Sequence, residues 1–147
     1  MNVVFLDIDG CVVPFKAPGK KARPAYAAES CVVALNRILQ DAEAGIVVIS
    51  EWRQHTTVAK LQACFKEWGI VGKIVGTTPV LFDRSKEILR WLEVNPDIVG
   101  GDSWITIDDE ELTVPNFVRC DPMVGLTEDG ADAALKILWS NNSGAEK

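Results

Sequence analysis

The chain has 147 residues, 48% hydrophobic and 24% charged, which fits one globular domain able to bury about two thirds of its unfolded surface. Its net charge of -6 argues against nucleic-acid binding through bulk positive charge and leaves a local basic site open. Cys11, Cys31, Cys64 and Cys120 form no CxxC pair, no apolar run reaches the roughly 18 residues of a membrane span, and the N-terminus carries no basic leader; the expectation is a cytoplasmic protein with free thiols.

In chain order, the first element is the apolar run Val3 to Ile8, a strand that closes on two acids, Asp7 and Asp9. Side chains two apart share one face of a strand, so these carboxylates repel unless something positive sits between them. Residues 10 to 28, "GCVVPFKAPGKKARPAYAA", hold three prolines and the basic Lys16, Lys20, Lys21 and Arg23, and read as a loop overhanging the strand end. A helical period covers Ala28 to Glu43, followed by a strand from Ile46 to Ser50 that leads into Glu51, Trp52 and Arg53. The next helix, His55 to Trp68, carries the stripe Val58, Leu61, Phe65 and Trp68. A short strand, Lys73 to Gly76, precedes a helix from Arg84 to Val94 that begins with two cations, Arg84 and Lys86. The strand Trp104 to Asp108 ends on the pair Asp108 and Asp109. A last strand, Asn116 to Arg119, and a helix, Asp129 to Trp139, finish a domain of residues 1 to 140, with 141 to 147 expected as a flexible tail. Trp68, Trp91 and Trp139 fall at packing positions, His55 reads as an exposed or capping residue, and Trp52 is equally suited to packing and to substrate contact.

Continuous apolar strands alternating with helices of this length predict an α/β fold, a doubly wound parallel five-stranded sheet with helices on both faces. In such sheets ligands bind beyond the strand C-termini, where strand order reverses. Three strand ends turn polar there: Asp7 and Asp9, Ser50, and Asp108 with Asp109. Acids so concentrated need a cation, and an all-oxygen donor set suits Mg²⁺. A carboxylate already ionised at neutral pH can attack phosphorus, while a second one protonates the leaving group. Ser50 offers a hydroxyl and Arg84 or Lys86 a cation for the phosphoryl oxygens.

"FLDIDGCVV", "IVVISEWR", "DRSKEILRWL" and "WITIDDEE" resemble, in order, the four motifs of the haloacid dehalogenase (HAD) superfamily, over about residues 3 to 139. With Trp52, Arg53 and the late "GLTEDGADAAL", the chain looks like the HAD domains of Swiss Army Knife RNA repair proteins and their stand-alone relatives. The resemblance implies a Mg²⁺-dependent phosphatase in which Asp7 is the nucleophile, forming an aspartyl-phosphate, and Asp9 the general acid and base. Asp7, Asp9 through its main-chain carbonyl, Asp108 and Asp109 would hold the metal; Ser50, Glu51, Arg53, Arg84 and Lys86 would meet the substrate phosphate. Two positions depart from the pattern: Arg84 stands where a Lys is usual, and Glu51 where a small polar residue is common. The first interval between motifs holds only a loop, and the second only one helix and one strand. No large cap domain is expected, and the open site would admit a phosphorylated small molecule or a nucleic-acid end. A receiver domain carries its phosphoacceptor at the end of strand three, which here reads "GTT". The remaining rival is a domain of HAD fold that binds phosphate or a partner without turnover.

Overall fold

The computed structural model describes residues 1–15, 27–100 and 103–145. Five strands, β1 (Asn2–Leu6), β2 (Ala44–Val48), β3 (Ile74–Thr77), β4 (Trp104–Asp108) and β5 (Phe117–Arg119), form one parallel sheet in the order β3-β2-β1-β4-β5. The helices are α1 (Glu29–Asp41), α2 (Val58–Glu67), α3 (Arg84–Val94) and α4 (Glu128–Ala145). Among the described residues no helix is long and apolar enough to cross a membrane, and all four cysteines are free thiols.

Alternation along the central strands builds two cores. Val4 and Leu6 of β1, with Ile46 and Val48 of β2, face α1, α2 and α4. Val3, Phe5 and Val47 face the other way, against Ile88 and Trp91 of α3. The direction of winding explains the division: β1 to β3 progress outward on one side, and the chain then crosses back over β1 to β4, so α3 covers the opposite face. Phe5 anchors that smaller core edge-on between Trp91 and Trp104, at centroid distances of 5.5 and 5.6 Å, an arrangement that suits the ring quadrupoles. On the larger face Arg37 of α1 holds α4 through Glu128 and Asp132.

The ladder of β1 stops at Leu6, two residues before the expected end, because the Ile8 carbonyl accepts the N–H groups of Cys11, Val12 and Val13 in a tight turn. Strand β2 likewise stops at Val48, and Ser50 caps a single 3₁₀ turn, Glu51–Gln54, a stretch to which the sequence reading gave no element. Helix α2 starts only at Val58, where the Thr57 hydroxyl accepts the Lys60 N–H. Leu61 and Phe65 of its stripe are buried, whereas Val58, in the first turn, and His55 are exposed. Trp91 is a core residue as expected; Trp139 is not, lying 53% exposed on the outer side of α4. That helix also continues to Ala145, into the span read as a tail. The loop ends are tied down by Phe15 N–H to Pro122 O and Ala28 N–H to Val12 O, while Lys16, Lys20, Lys21 and Arg23 lie outside the described residues.

The interval between β2 and α3 holds only the 3₁₀ turn, α2 and β3. Among the described residues no large cap stands over the strand ends.

Candidate active site

Strand order reverses at β1, the first strand, which has β2 on one side and β4 on the other. The residues just past these strand ends are therefore neighbours. Asp7 N–H donates to Ile107 O, and Ile49 N–H to Leu6 O, so the polar ends of three strands lie side by side. Asp7, Asp108 and Asp109 each bring a carboxylate oxygen within 4.8 Å of the others. Asp7 and Asp108 are buried, at 4% and 0% exposure.

Gly10 lets this cluster form. Its φ of 85° is a left-handed conformation suited to glycine, and a Cβ there would stand 2.5 Å from Asp109 Oδ2. Motif one thus makes room for motif four.

Arg84, at the first position of α3, reaches into the cluster. Its Nη1 lies 2.9 Å from Asp108 Oδ2, 3.5 Å from Asp7 Oδ2 and 3.9 Å from Glu110 Oε2. The other oxygen of Asp108 accepts the Glu110 N–H at 2.9 Å. Asp83 sets the direction of this helix by capping it through the Lys86 N–H. Burial opposes the Arg84 charge, but Asp108 and Asp7 outweigh it and raise the guanidinium pKa. Lys86 is exposed on the outer side of α3, beside Leu89 and Arg90. Its side chain is not part of the cluster.

One guanidinium does not neutralise three carboxylates. Burial, reinforced by the Asp108 charge, pushes the Asp7 carboxyl up to about 9 against the pull of Arg84. Burial also raises Asp109. The donor set is all oxygen, close-set and short of positive charge, which fits a hard divalent cation.

Asp9 is turned elsewhere. Its Oδ2 accepts the Trp52 indole N–H at 3.0 Å, so its side chain stands outside the carboxylate cluster. Ser50 is buried at the end of β2, and its hydroxyl oxygen accepts the Trp52 main-chain N–H. Glu51 is exposed on the wall of a cleft of about 340 Å³ that opens from Arg84 toward Val80 and Phe82.

Arg53 departs from the expected role in phosphate binding. Its guanidinium donates to the carbonyls of Ile49, Ser50, Thr78 and Pro79 and pairs with Glu87 at 3.1 Å. A guanidinium has five N–H donors, and these five partners occupy them. Glu87, 5% exposed, also accepts the Leu81 N–H. The pair stitches the turn after β2 to the loop before α3. Sequence reasoning missed Glu87, although an acid among the buried positions Ser85, Ile88 and Trp91 of α3 was a signal of a buried partner.

A five-stranded parallel sheet in the order β3-β2-β1-β4-β5, with clustered aspartates at its switch point, agrees with the haloacid dehalogenase class of hydrolase-like domain. The family model for the HAD domain in Swiss Army Knife RNA repair proteins matches residues 3–131, and the chain belongs to that family. No curated protein and no solved structure matches it.

Proposed function

We propose that the protein is a Mg²⁺-dependent phosphatase that works through an aspartyl-phosphate on Asp7, with phosphate monoesters of nucleotides or nucleic-acid ends as substrates. The observation that carries this reading is the convergence of Asp7, Asp108 and Asp109 within 4.8 Å, with Arg84 alongside. Asp7, Asp108 and Asp109, with the Asp9 main-chain carbonyl assigned by family resemblance, would hold the metal. When bound, Mg²⁺ supplies the positive charge that keeps Asp7 ionised and offsets charge on the phosphoryl oxygens.

In the first half-reaction an Asp7 carboxylate oxygen forms a bond to phosphorus and the ester P–O bond breaks. Asp9 gives its proton to the departing oxygen. In the second, Asp9 takes a proton from a water that attacks phosphorus, the Asp7–phosphorus bond breaks, and inorganic phosphate leaves. Arg84 and Ser50 hold the phosphoryl oxygens as charge develops on them. Glu51, an anion on the cleft wall, meets donors of the leaving group rather than the phosphate, since like charges repel. The absence of a large cap among the described residues supports a bulky substrate such as a nucleic-acid terminus, and the family's occurrence in RNA repair proteins supports the same class.

Hydrolysis of p-nitrophenyl phosphate with Mg²⁺ or with EDTA, beside the Asp7→Asn variant, tests the proposal. Metal-dependent phosphate release that disappears in the variant supports it. No release from the wild-type chain on this ester or on nucleotide and nucleic-acid-end phosphates would leave a phosphate-binding or partner-binding domain as the better reading.

A further inference from the structure

The hydrogen bond between Trp52 and Asp9 has chemical content that packing alone does not require. The indole N–H is a donor only: it neither takes a proton from a carboxylic acid nor gives one up near neutral pH. Placed 3.0 Å from Oδ2 of Asp9, it decides which carboxylate oxygen carries the proton. When Asp9 is protonated, the proton is favoured on Oδ1, because a carbonyl-type Oδ2 accepts the indole N–H more strongly than a hydroxyl oxygen would. When Asp9 is ionised, Oδ2 keeps its partner and Oδ1 is the oxygen left to accept. Among the described residues Oδ1 has no hydrogen-bond partner.

The donor itself is held at two points. Its main-chain N–H is accepted by the hydroxyl of Ser50, which caps the 3₁₀ turn after β2. Its ring meets Trp68 edge-on at 5.6 Å, and Trp68 stacks on Phe65 at 5.8 Å. Phe65 is fully buried in the larger core. Three aromatic rings thus run from the core to the Asp9 carboxylate. Asp9, by contrast, sits in the turn after β1, where neighbouring main chain alone would leave its side-chain torsions free.

We propose that Trp52 is the positioning residue for the general acid and base: it locks the Asp9 carboxylate so that Oδ1 is the proton-carrying oxygen in both half-reactions. The inference rests on the phosphatase reading and adds to it a residue two positions beyond Ser50. A hydroxyl or a lysine at the same place would not serve equally well. A hydroxyl could reverse its hydrogen bond when Asp9 is protonated, and an ammonium would hold Asp9 ionised and oppose the acid step. A neutral donor-only group serves both protonation states with one geometry.

Proton donation matters most when the leaving group is a poor one, so the test compares an alkyl phosphate with p-nitrophenyl phosphate. The value of kcat/KM reports the steps through formation of the phospho-enzyme and isolates the acid role. Two variants remove the N–H: Trp52→Phe, and 3-benzothienylalanine at position 52, whose sulfur replaces the N–H in a ring of the same shape. Both should lower kcat/KM for the alkyl ester by about 10-fold or more while changing the aryl ester by less than about twofold. Equal losses on the two esters, or none on either, would overturn the positioning role. An independent readout does not need turnover. The Trp52 indole N–H resonance, assigned by its disappearance in Trp52→Phe, should lie downfield of the other indoles and move toward them in Asp9→Ala. If it does and the wild-type chain hydrolyses neither ester, the phosphatase reading fails while the contact stands. If it does not move, the contact fails whatever the activity.

Discussion

Arg84 and Arg53 line the same cleft and do opposite things. Arg84 points a guanidinium at carboxylates that carry the proposed chemistry, and its charge is held up by Asp108 and Asp7 against burial. Arg53 spends its donors on four carbonyls and Glu87, and burial lowers its pKa despite that partner. The contrast teaches that a basic residue after a strand end is read correctly only once its donors are counted. A cation facing acids is poised to meet a ligand, whereas one facing carbonyls is part of the frame.

The widest separation between the two regions should come from Asp7→Asn. Turnover of any substrate should be abolished, yet the metal-free variant should melt no lower than wild type, because Asn keeps the shape and removes a carboxyl whose ionisation the fold resists. A clear loss of melting temperature would mean that Asp7 is part of the frame as well. Arg84→Ala should cost on the order of 10² to 10³ in kcat, the scale for one lost donor to a developing charge. Near wild-type kcat would remove Arg84 from the phosphate site.

Arg53→Met should act on stability instead, by about 3–5 kcal/mol, since it strands Glu87 as a buried, unpaired charge. Urea titration of Arg53→Met beside Arg53→Met with Glu87→Gln measures this, and the double variant should recover part of the loss. If Arg53→Met unfolds at the wild-type midpoint, the clamp contributes nothing to the frame.

A further effect is expected from pH. The folded-state pKa of Asp7 lies above its ordinary 3.8, at about 9, so the folded chain holds more protons than the unfolded one between those values. Stability without metal should therefore fall as pH rises from about 4 toward 9, with Asp109, also raised, adding to the slope. Added Mg²⁺ at pH 8 should restore melting temperature by on the order of 5 °C, because it binds only the folded chain. A pH-independent melting curve in EDTA would show that the three carboxylates do not strain the fold. Lys86→Ala sets the baseline, with kcat and stability both unchanged.

Much of the frame was legible from residue order. Apolar runs separated by helical periods specified five parallel strands, because a strand covered on both faces must be apolar on both. The boundaries slipped by two residues where a turn took over the strand's carbonyls, as at Ile8, which is a competition between hydrogen bonds that periodicity does not reveal. Val58 and Trp139 sit on apolar stripes yet face solvent, since a stripe at a helix end can outrun the surface it packs against.

The candidate site divides in the same way. By itself the sequence determined which chemical groups stand at strand ends, because strand termini in a parallel sheet converge on one edge whatever the loops do. It could not choose between Arg84 and Lys86, which differ by two helix positions and therefore by roughly half a turn in direction. Tertiary structure made that choice by packing Ser85, Glu87, Ile88 and Trp91 inward, which carries Arg84 over the sheet edge and leaves Lys86 in solvent. It also gave Arg53 its carbonyls and Asp9 its indole. Ile49 and Ser50 are near Arg53 in sequence, but Thr78 and Pro79 lie 25 and 26 residues from Arg53 and Trp52 lies 43 from Asp9, and only the folded arrangement brings these within reach.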